Sequence, residues 1–100
     1  MAETLEVTTL RPAEGLNTAD FVAANKDIND YLRRRPGFLW RRILETSDGT
    51  IIDIVAYDTM AHAQSGAAGI VGEMGHSPVH ATIDHDTVDW RLTTVVQHIE

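Results

Sequence analysis

Residues 38–58, FLWRRILETSDGTIIDIVAYD, decide the fold because they read as two strands joined by a tight turn. Asp48 and Gly49 mark the turn, since both residue types tolerate the positive φ that a two-residue type I′ hairpin requires. Residues 38–45 are then one strand, and residues 51–58 are the returning strand. The returning strand is apolar on both faces, which predicts a central strand covered on both sides.

Two further strands are expected towards the ends of the chain. Residues 4–10 are rich in β-branched and apolar types, a composition typical of strands. Residues 88–99 alternate in character, which favours a long final strand. With the hairpin, these segments make four strands.

Helices are expected in the two segments between the strands. Apolar residues recur at helical spacing from Phe21 to Leu32, which predicts a helix with one buried stripe that Asn17 or Thr18 can cap and Pro36-Gly37 ends. Residues 59–74 predict a second helix with Thr59 as its N-cap. Residues 77–83 predict a short third helix, because Pro78 suits a first helical position.

The element order, β-α-β-β-α-β, predicts a ferredoxin-like α+β fold with a four-stranded antiparallel sheet and both helices on one face. Residues 1–100 are the length of a single domain. The other face of the sheet is expected to be apolar and to carry Leu39, Ile43, Ile52, Ile54 and Ala56. No further helix is left to cover that face, so we expect a homodimer in which two sheets pack together.

The composition argues against several classes of function. Acidic residues outnumber basic ones by 15 to 8, and a net charge of −7 would repel nucleic acid. No stretch approaches the ~18 apolar residues of a membrane helix, and the N-terminus lacks the regions of a signal peptide. The chain has no cysteine for disulfides or thiolate metal sites. We therefore expect a cytoplasmic protein with neither a membrane nor a nucleic-acid partner.

A pocket between the helices and the sheet follows from the predicted hairpin. A two-residue turn places Arg42 across from Val55 and Trp40 across from Tyr57, so alternate side chains of both strands share one face. Asn25 lies on the apolar stripe of the first helix and would point towards that face. The predicted ligand pocket has five lining residues: Asn25, Trp40, Arg42, Asp53 and Tyr57.

The same residues also have structural interpretations that need no ligand. Arg42 and Asp53 could form a cross-strand ion pair. Trp40 and Tyr57 could belong to the core or to an interface. Asn25 could bond a backbone group, as buried amides usually do.

Acid–base chemistry in the pocket would need a titratable group. His76 and His80 are the candidates because the histidine pKa lies near neutrality, and Tyr57 is a candidate acid–base partner. His76, His80 and Asp84 are spaced four residues apart, which on one continuous helix would suit metal ligands. Pro78 interrupts that helix, so we expect no metal site.

Several motifs occur in a fixed order along residues 4–97: Pro36-Gly37-Phe38, Arg42, Asp48-Gly49-Thr50, Asp53, Tyr57, and Asp58-Thr59 before an alanine-rich helix. This order resembles the antibiotic biosynthesis monooxygenase-like proteins of the dimeric α/β-barrel superfamily. The resemblance implies that two subunits join their sheets into a barrel, with a pocket in each subunit. In the cofactor-independent oxygenases of that family, an asparagine and a tryptophan on the third strand line the pocket. This chain has Asp53 and Tyr57 at the matching positions.

The function implied by the resemblance is a cofactor-independent monooxygenase-like protein that acts on, or binds, a small aromatic or polyketide-like molecule. No cofactor is expected. Haem-degrading relatives use an asparagine on the first strand and a tryptophan and a histidine on the second helix. Of these three residues, only the histidine has a possible match in this chain, which is His76. Two alternatives stay open: a cyclase or isomerase that works by acid–base catalysis in the same pocket, and a non-catalytic dimer that binds a small ligand.

Overall fold

The computed structural model describes residues 2–100 and confirms the predicted α+β fold. Four strands form one antiparallel sheet in the order β2-β3-β1-β4. The strands are β1 (Thr4–Pro12), β2 (Phe38–Glu45), β3 (Ile51–Tyr57) and β4 (Ile83–Thr94). The helices are α1 (Thr18–Ala23), α2 (Lys26–Arg33) and α3 (Met60–Val71), with a 3-10 helix at Pro78–Thr82.

The hydrophobic core lies between the helices and one face of the sheet. Phe21, Ile28 and Leu32 are almost fully buried, as the helical spacing predicted. They belong to one cluster with Leu10 of β1 and Val55 of β3. We call the sheet face that packs against this cluster the covered face, and the opposite one the open face.

The hairpin turn is one residue longer than predicted. The backbone amide of Thr46 donates to the Thr50 carbonyl at 2.9 Å, and that of Gly49 donates to the Thr46 carbonyl at 3.0 Å. Gly49 has a φ of 85°, whereas Asp48 does not have a positive φ, so the turn is not type I′. Asp48 instead accepts a hydrogen bond from the Thr50 amide at 3.0 Å through its side chain. The three-residue loop makes the predicted pairing wrong by one residue.

This shift moves the β2 side chains from Trp40 to Glu45 to the other face relative to β3, whereas a second register change between Phe38 and Trp40 keeps Phe38 on the face of Tyr57. Arg41 pairs with Val55, and Ile43 pairs with Asp53, so these four residues share the covered face. The residues of β2 and β3 on the open face are Trp40, Arg42, Leu44, Ile52, Ile54 and Ala56. The placement of Trp40 and Arg42 towards the helices, and of Ile43 on the open face, was therefore wrong.

Several element boundaries differ from the predictions, including the end of β1, which is Pro12 rather than Leu10. The first helix is split at Asn25, whose backbone amide donates to the Val22 carbonyl in a tighter turn. The second helix ends at Val71, before Gly72, rather than near Met74. The last strand begins at Ile83 rather than Val88 and ends at Thr94.

Helix α3 approaches the sheet closely at two glycines. A methyl group on Gly66 would lie 2.7 Å from Cζ of Tyr57, and one on Gly69 would lie equally close to Cζ of Tyr31. Both tyrosines are almost completely buried and cannot move aside. The Tyr31 hydroxyl donates to the Gly66 carbonyl at 2.9 Å, which fixes the helix over the core.

Candidate functional site

A cavity of about 500 Å³ lies between the covered face of the sheet and the helices. Its size is within the range of small-molecule sites. The apolar side chains in its wall include Leu10, Phe21, Ile28, Leu32, Val55, Ile70, Val79 and Ile83. The polar side chains are few: Glu6, Thr8, Asn25, Arg41, Asp53, Gln64 and His80, with the indole of Trp90.

The exposed lining residues locate the opening of the cavity. Val71, at the end of α3, is 79% exposed, whereas Val88 and Trp90 of β4 are 40% and 49% exposed. The opening therefore lies between the C-terminal end of α3 and the edge strand β4. An apolar rim of this kind suits the entry of an apolar molecule.

Arg41 and Asp53 form a nearly buried ion pair in the cavity wall. The guanidinium donates from Nε to Asp53 Oδ1 at 3.0 Å and from Nη2 to Oδ2 at 2.6 Å. Its third bond runs from Nη1 to Asn29 Oδ1 at 2.8 Å. Bidentate geometry of this kind fixes the position of both groups. The ion-pair partner of Asp53 is thus Arg41 rather than the predicted Arg42, although the residue directly opposite Asp53 in the sheet is Ile43.

Asn25 lies at the break between α1 and α2. Its side-chain amide donates from Nδ2 to the Phe21 carbonyl at 2.7 Å, which satisfies that end of the group. Its oxygen Oδ1 is buried and has no hydrogen-bond partner among residues 2–100. Buried amide oxygens normally accept a bond, so Asn25, a lining residue of the cavity, has an unfilled acceptor position.

Glu6 is the ionisable residue with the deepest burial among the lining residues that sequence analysis missed, which also include Thr8, Arg41, Gln64 and Trp90. It lies on the covered face of the central strand β1, opposite Val55, and is 6% exposed. The indole of Trp90 donates from Nε1 to its Oε2 at 2.6 Å. Its second oxygen, Oε1, has no partner within the described part of the chain. The sequence contained a signal for this position, because Glu6 is a charged residue within a strand of apolar and β-branched residues. The alternation of side chains along the strand places Glu6 on the same face as Thr4, Thr8 and Leu10.

Burial raises the pKa of Glu6 above its usual value because the charged form loses its water. The hydrogen bond from Trp90 opposes this change, as does the nearby charge of Arg41, while the charge of Asp53 adds to it. At a given pH in its titration range, a larger share of the Glu6 carboxyl is therefore protonated than of an exposed glutamate. Glu6 can therefore donate or accept a proton within the cavity.

The predicted acid–base residues are placed in three different environments. His80 lines the cavity and donates from Nε2 to the Met74 carbonyl at 3.0 Å, so Nδ1 is the acceptor of its neutral ring. His76 is exposed and does not line the cavity. Tyr57 is fully buried beneath α3, also outside the cavity wall, and burial raises the pKa of its hydroxyl well above the usual range.

The predicted pocket residues are thus only partly brought together. Asn25 and Asp53 line the cavity, whereas Trp40, Arg42 and Tyr57 do not. On the open face, the Arg42 guanidinium lies 4.5 Å from the centre of the Trp40 ring, which is a cation–π contact. For Trp40 and Arg42 the physical cause is the longer hairpin loop, which moves both residues to the open face. Tyr57 is on the covered face but lies against Gly66 of α3.

Clusters of metal ligands and membrane-spanning helices are two other features that would bear on function within residues 2–100. No three histidine, aspartate or glutamate side chains in this range come together as a metal ion would require. None of the helices in the same range has the length and apolar character needed to cross a bilayer.

Comparison with solved structures finds the same architecture in oxygenases. SnoaB of Streptomyces nogalater, a cofactor-independent oxygenase, has a TM-score of 0.75 and 17% identity over 99% of this chain and 98% of its own. The chain has the fold of the antibiotic biosynthesis monooxygenases. The ActVA-Orf6 monooxygenase of Streptomyces coelicolor, in complex with nanaomycin D, has a TM-score of 0.76 and 16% identity, over 99% and 92%.

A third structure with this monooxygenase fold is a Bordetella bronchiseptica protein named as a candidate antibiotic biosynthesis monooxygenase. It has a TM-score of 0.79 and 12% identity, with 97% of this chain and 100% of that chain covered. No protein-family model and no curated protein sequence matches the chain. At these identities the likeness is one of fold, and at that level the resemblance read from the motifs is confirmed.

Proposed function

We propose that the chain is a cofactor-independent monooxygenase-like enzyme that oxidises a small, aromatic, polyketide-like molecule in the helix–sheet cavity. The observation that carries the proposal is the cavity itself, a space of about 500 Å³ with an apolar wall and a few polar groups. A flat aromatic molecule would bury its rings against that wall and bond the polar groups through its oxygens. SnoaB and ActVA-Orf6, which share the fold, support this reaction class.

The reaction class balances without an added reductant. An activated CH₂ group between aromatic rings reacts with O₂ to give a ketone and one molecule of water. The carbon is oxidised and supplies all four electrons, and one oxygen atom ends in the ketone and the other in water. The protein has to hold the molecule, exclude bulk water and move protons, which are tasks that side chains can perform.

Two polar groups would orient the substrate. The free Oδ1 of Asn25 can accept a bond from a substrate hydroxyl. The guanidinium of Arg41, which Asp53 and Asn29 hold in place, presents positive charge to a phenolate or a developing oxyanion. These groups lie in the wall of the same cavity, so one bound molecule can meet both.

The test is oxygen uptake with a panel of tricyclic phenols and anthrones, with product identified by mass spectrometry. Ala68 lines the cavity from α3, whereas Ala61 is exposed on the same helix away from it. We expect Ala68→Phe to reduce uptake at least tenfold by filling the cavity, and Ala61→Phe to leave it unchanged. Equal rates in the two variants, or no turnover by the unmodified protein, would contradict the proposal.

A second candidate function is a cyclase or isomerase that uses the same cavity. The observation in its favour is that two titratable groups, Glu6 and His80, line one apolar space. Such an enzyme would work without oxygen and show a bell-shaped dependence of rate on pH. Product formation that persists under nitrogen would select this function over the oxygenase.

We also propose that two copies associate through the open face. Ile52 and Ile54 are only half-buried there, and Leu44 is 43% exposed. Apolar side chains grouped on one sheet face are typical of an interface. Light scattering at micromolar concentration should give twice the mass of the chain. The Ile54→Lys variant should be monomeric. The control Val22→Lys, at an exposed position of α1, should stay dimeric. A monomeric mass for the unmodified protein would exclude the dimer.

A further inference from the structure

We propose that Glu6 is the catalytic acid–base of the cavity, taking protons from the substrate carbon and returning them to the reduced oxygen. This inference rests on the oxygenase function proposed above and assigns its proton-transfer step to one residue. Glu6 is held in place by the 2.6 Å bond from Trp90 to its Oε2. Its other oxygen, Oε1, has no hydrogen-bond partner among residues 2–100. The Glu6 side chain lines the cavity.

The other polar groups of the cavity are less suited to this task. Asp53 is bound through both oxygens by Arg41. His80 uses Nε2 to donate to the Met74 carbonyl, which leaves one ring nitrogen for exchange. Tyr57 lies outside the cavity wall. Glu6 combines a rigid position with a free oxygen atom, which a positioned general base requires.

The surroundings of Glu6 also tune it for proton transfer. Desolvation raises the pKa of its carboxyl, and a base with a raised pKa accepts a proton more strongly than an exposed carboxylate. The titratable or charged groups that face the cavity or act on Glu6 are Arg41, Asp53, Tyr57, Tyr31 and His80, together with the Trp90 donor. The Trp90 bond lowers the pKa, so its loss would raise the pKa further.

Glu6 takes two protons in turn from the substrate carbon and returns each of them to oxygen. The Glu6 carboxylate removes a proton from the substrate CH₂, and the carbanion passes one electron to O₂. The carbon radical and superoxide combine to a peroxide anion, which takes the proton back from Glu6. Glu6 then removes the second C–H proton as the O–O bond breaks and the ketone forms. The departing hydroxide takes that proton and leaves as water.

The experiment isolates proton transfer from oxygen chemistry. Dithranol, a tricyclic dihydroxyanthrone, is incubated with the protein in D₂O under nitrogen, and deuterium entry at its CH₂ group is followed by mass spectrometry. We expect exchange at least 100-fold above the buffer rate for the unmodified protein, and a loss of nearly all of that gain in Glu6→Gln. Glu45→Gln, a matched change at an exposed glutamate, should exchange normally.

A second variant separates a catalytic role from a structural one. Trp90→Phe removes the donor to Oε2 and should move the acid limb of the exchange–pH profile to higher pH, because the Glu6 pKa rises. Normal exchange in Glu6→Gln, an unmoved profile in Trp90→Phe, or no enhanced exchange by the unmodified protein would each overturn the assignment. Exchange without oxygen uptake in air would keep Glu6 as the acid–base and reject the oxygenase function alone.

Discussion

Arg41 and Arg42 are neighbours in the chain but lie on opposite faces of the sheet, and their surroundings have little in common. The Arg41 side chain is 9% exposed and makes three hydrogen bonds to Asp53 and Asn29. Arg42 is exposed and lies over the Trp40 ring. The same residue type is thus a fixed part of a cavity wall on the covered face and a solvated side chain on the open face.

The two tryptophans differ in the same way. Trp90 donates a hydrogen bond to buried Glu6, whereas Trp40 stacks with exposed Arg42. Polar groups on the covered face act in a space from which water is largely removed, so each bond there carries more energy than on the open face. The difference agrees with the proposals that chemistry belongs to the covered face and association to the open face, and the following changes test them.

The largest effect is expected from breaking the buried ion pair. Asp53→Ala leaves the Arg41 guanidinium without its bidentate partner and should lower the free energy of unfolding by about 3 kcal/mol. Arg42→Ala, on the open face, should cost less than about 1 kcal/mol, because it removes an exposed cation–π contact. Urea denaturation of both variants measures the difference. Similar losses for the two would remove the contrast between the faces.

A smaller loss is expected where α3 presses on the covered face. Gly66→Ala places a methyl group against the Tyr57 ring, and overpacking of this kind should cost about 2 kcal/mol. At Gly72 the nearest atom would be the Ala68 carbonyl oxygen at 3.4 Å, so Gly72→Ala should stay within about 0.5 kcal/mol of the unmodified protein. Thermal denaturation can rank the two. A neutral Gly66→Ala would show that the helix can lift from the sheet.

The pH dependence of stability should report the burial of Glu6. Its folded-state pKa is raised above the usual glutamate value of 4.5, so above that pH the native protein holds more protons than the unfolded chain. The free energy of unfolding should therefore fall, relative to Glu6→Gln, as pH rises through the folded-state pKa. Below 4.5 the two proteins should run parallel. Urea denaturation of both proteins across this pH range measures the effect. A constant difference in free energy of unfolding between the unmodified protein and Glu6→Gln would contradict a raised pKa of Glu6.

The smallest effect is expected at the exposed hairpin turn. The hydrogen bond from Thr46, with one from the Thr50 amide, lowers the pKa of Asp48 from 3.8 to about 2. The stabilisation by the ionised carboxylate is present above pH 3.8 and is lost as pH falls towards 2. Asp48→Asn should lack this acid-dependent loss. Coincident acid unfolding curves would show that the turn bonds do not affect stability.

The order of the elements and the core of the helices could be predicted from the sequence because both depend on local periodicity. The spacing of Phe21, Ile28 and Leu32 predicted their burial. The hairpin was placed correctly, but its register was not, since Asp48-Gly49 occurs in both two-residue and three-residue loops. The deciding interaction is the Asp48 side chain bonded to Thr46 and Thr50, a local motif that favours the longer loop.

The cavity itself depended on contacts that no local pattern shows. Glu6 and Trp90 are 84 residues apart and meet only because β1 and β4 pair in the sheet. Ile83, which the earlier start adds to β4, also lines the cavity. Asn25 was predicted to point inwards and does so, but the helix break that positions it comes from its own bond to Phe21.

The close approach of α3 to the two tyrosines predicts how related sequences vary. Gly66 faces the Tyr57 ring and Gly69 faces the Tyr31 ring, with no room for a methyl group at either contact. A homologue that carries a larger residue at position 66 should therefore have a smaller, non-aromatic one at position 57, and positions 69 and 31 should be linked in the same way. Covariation of these pairs would trace the same helix–sheet spacing through evolution.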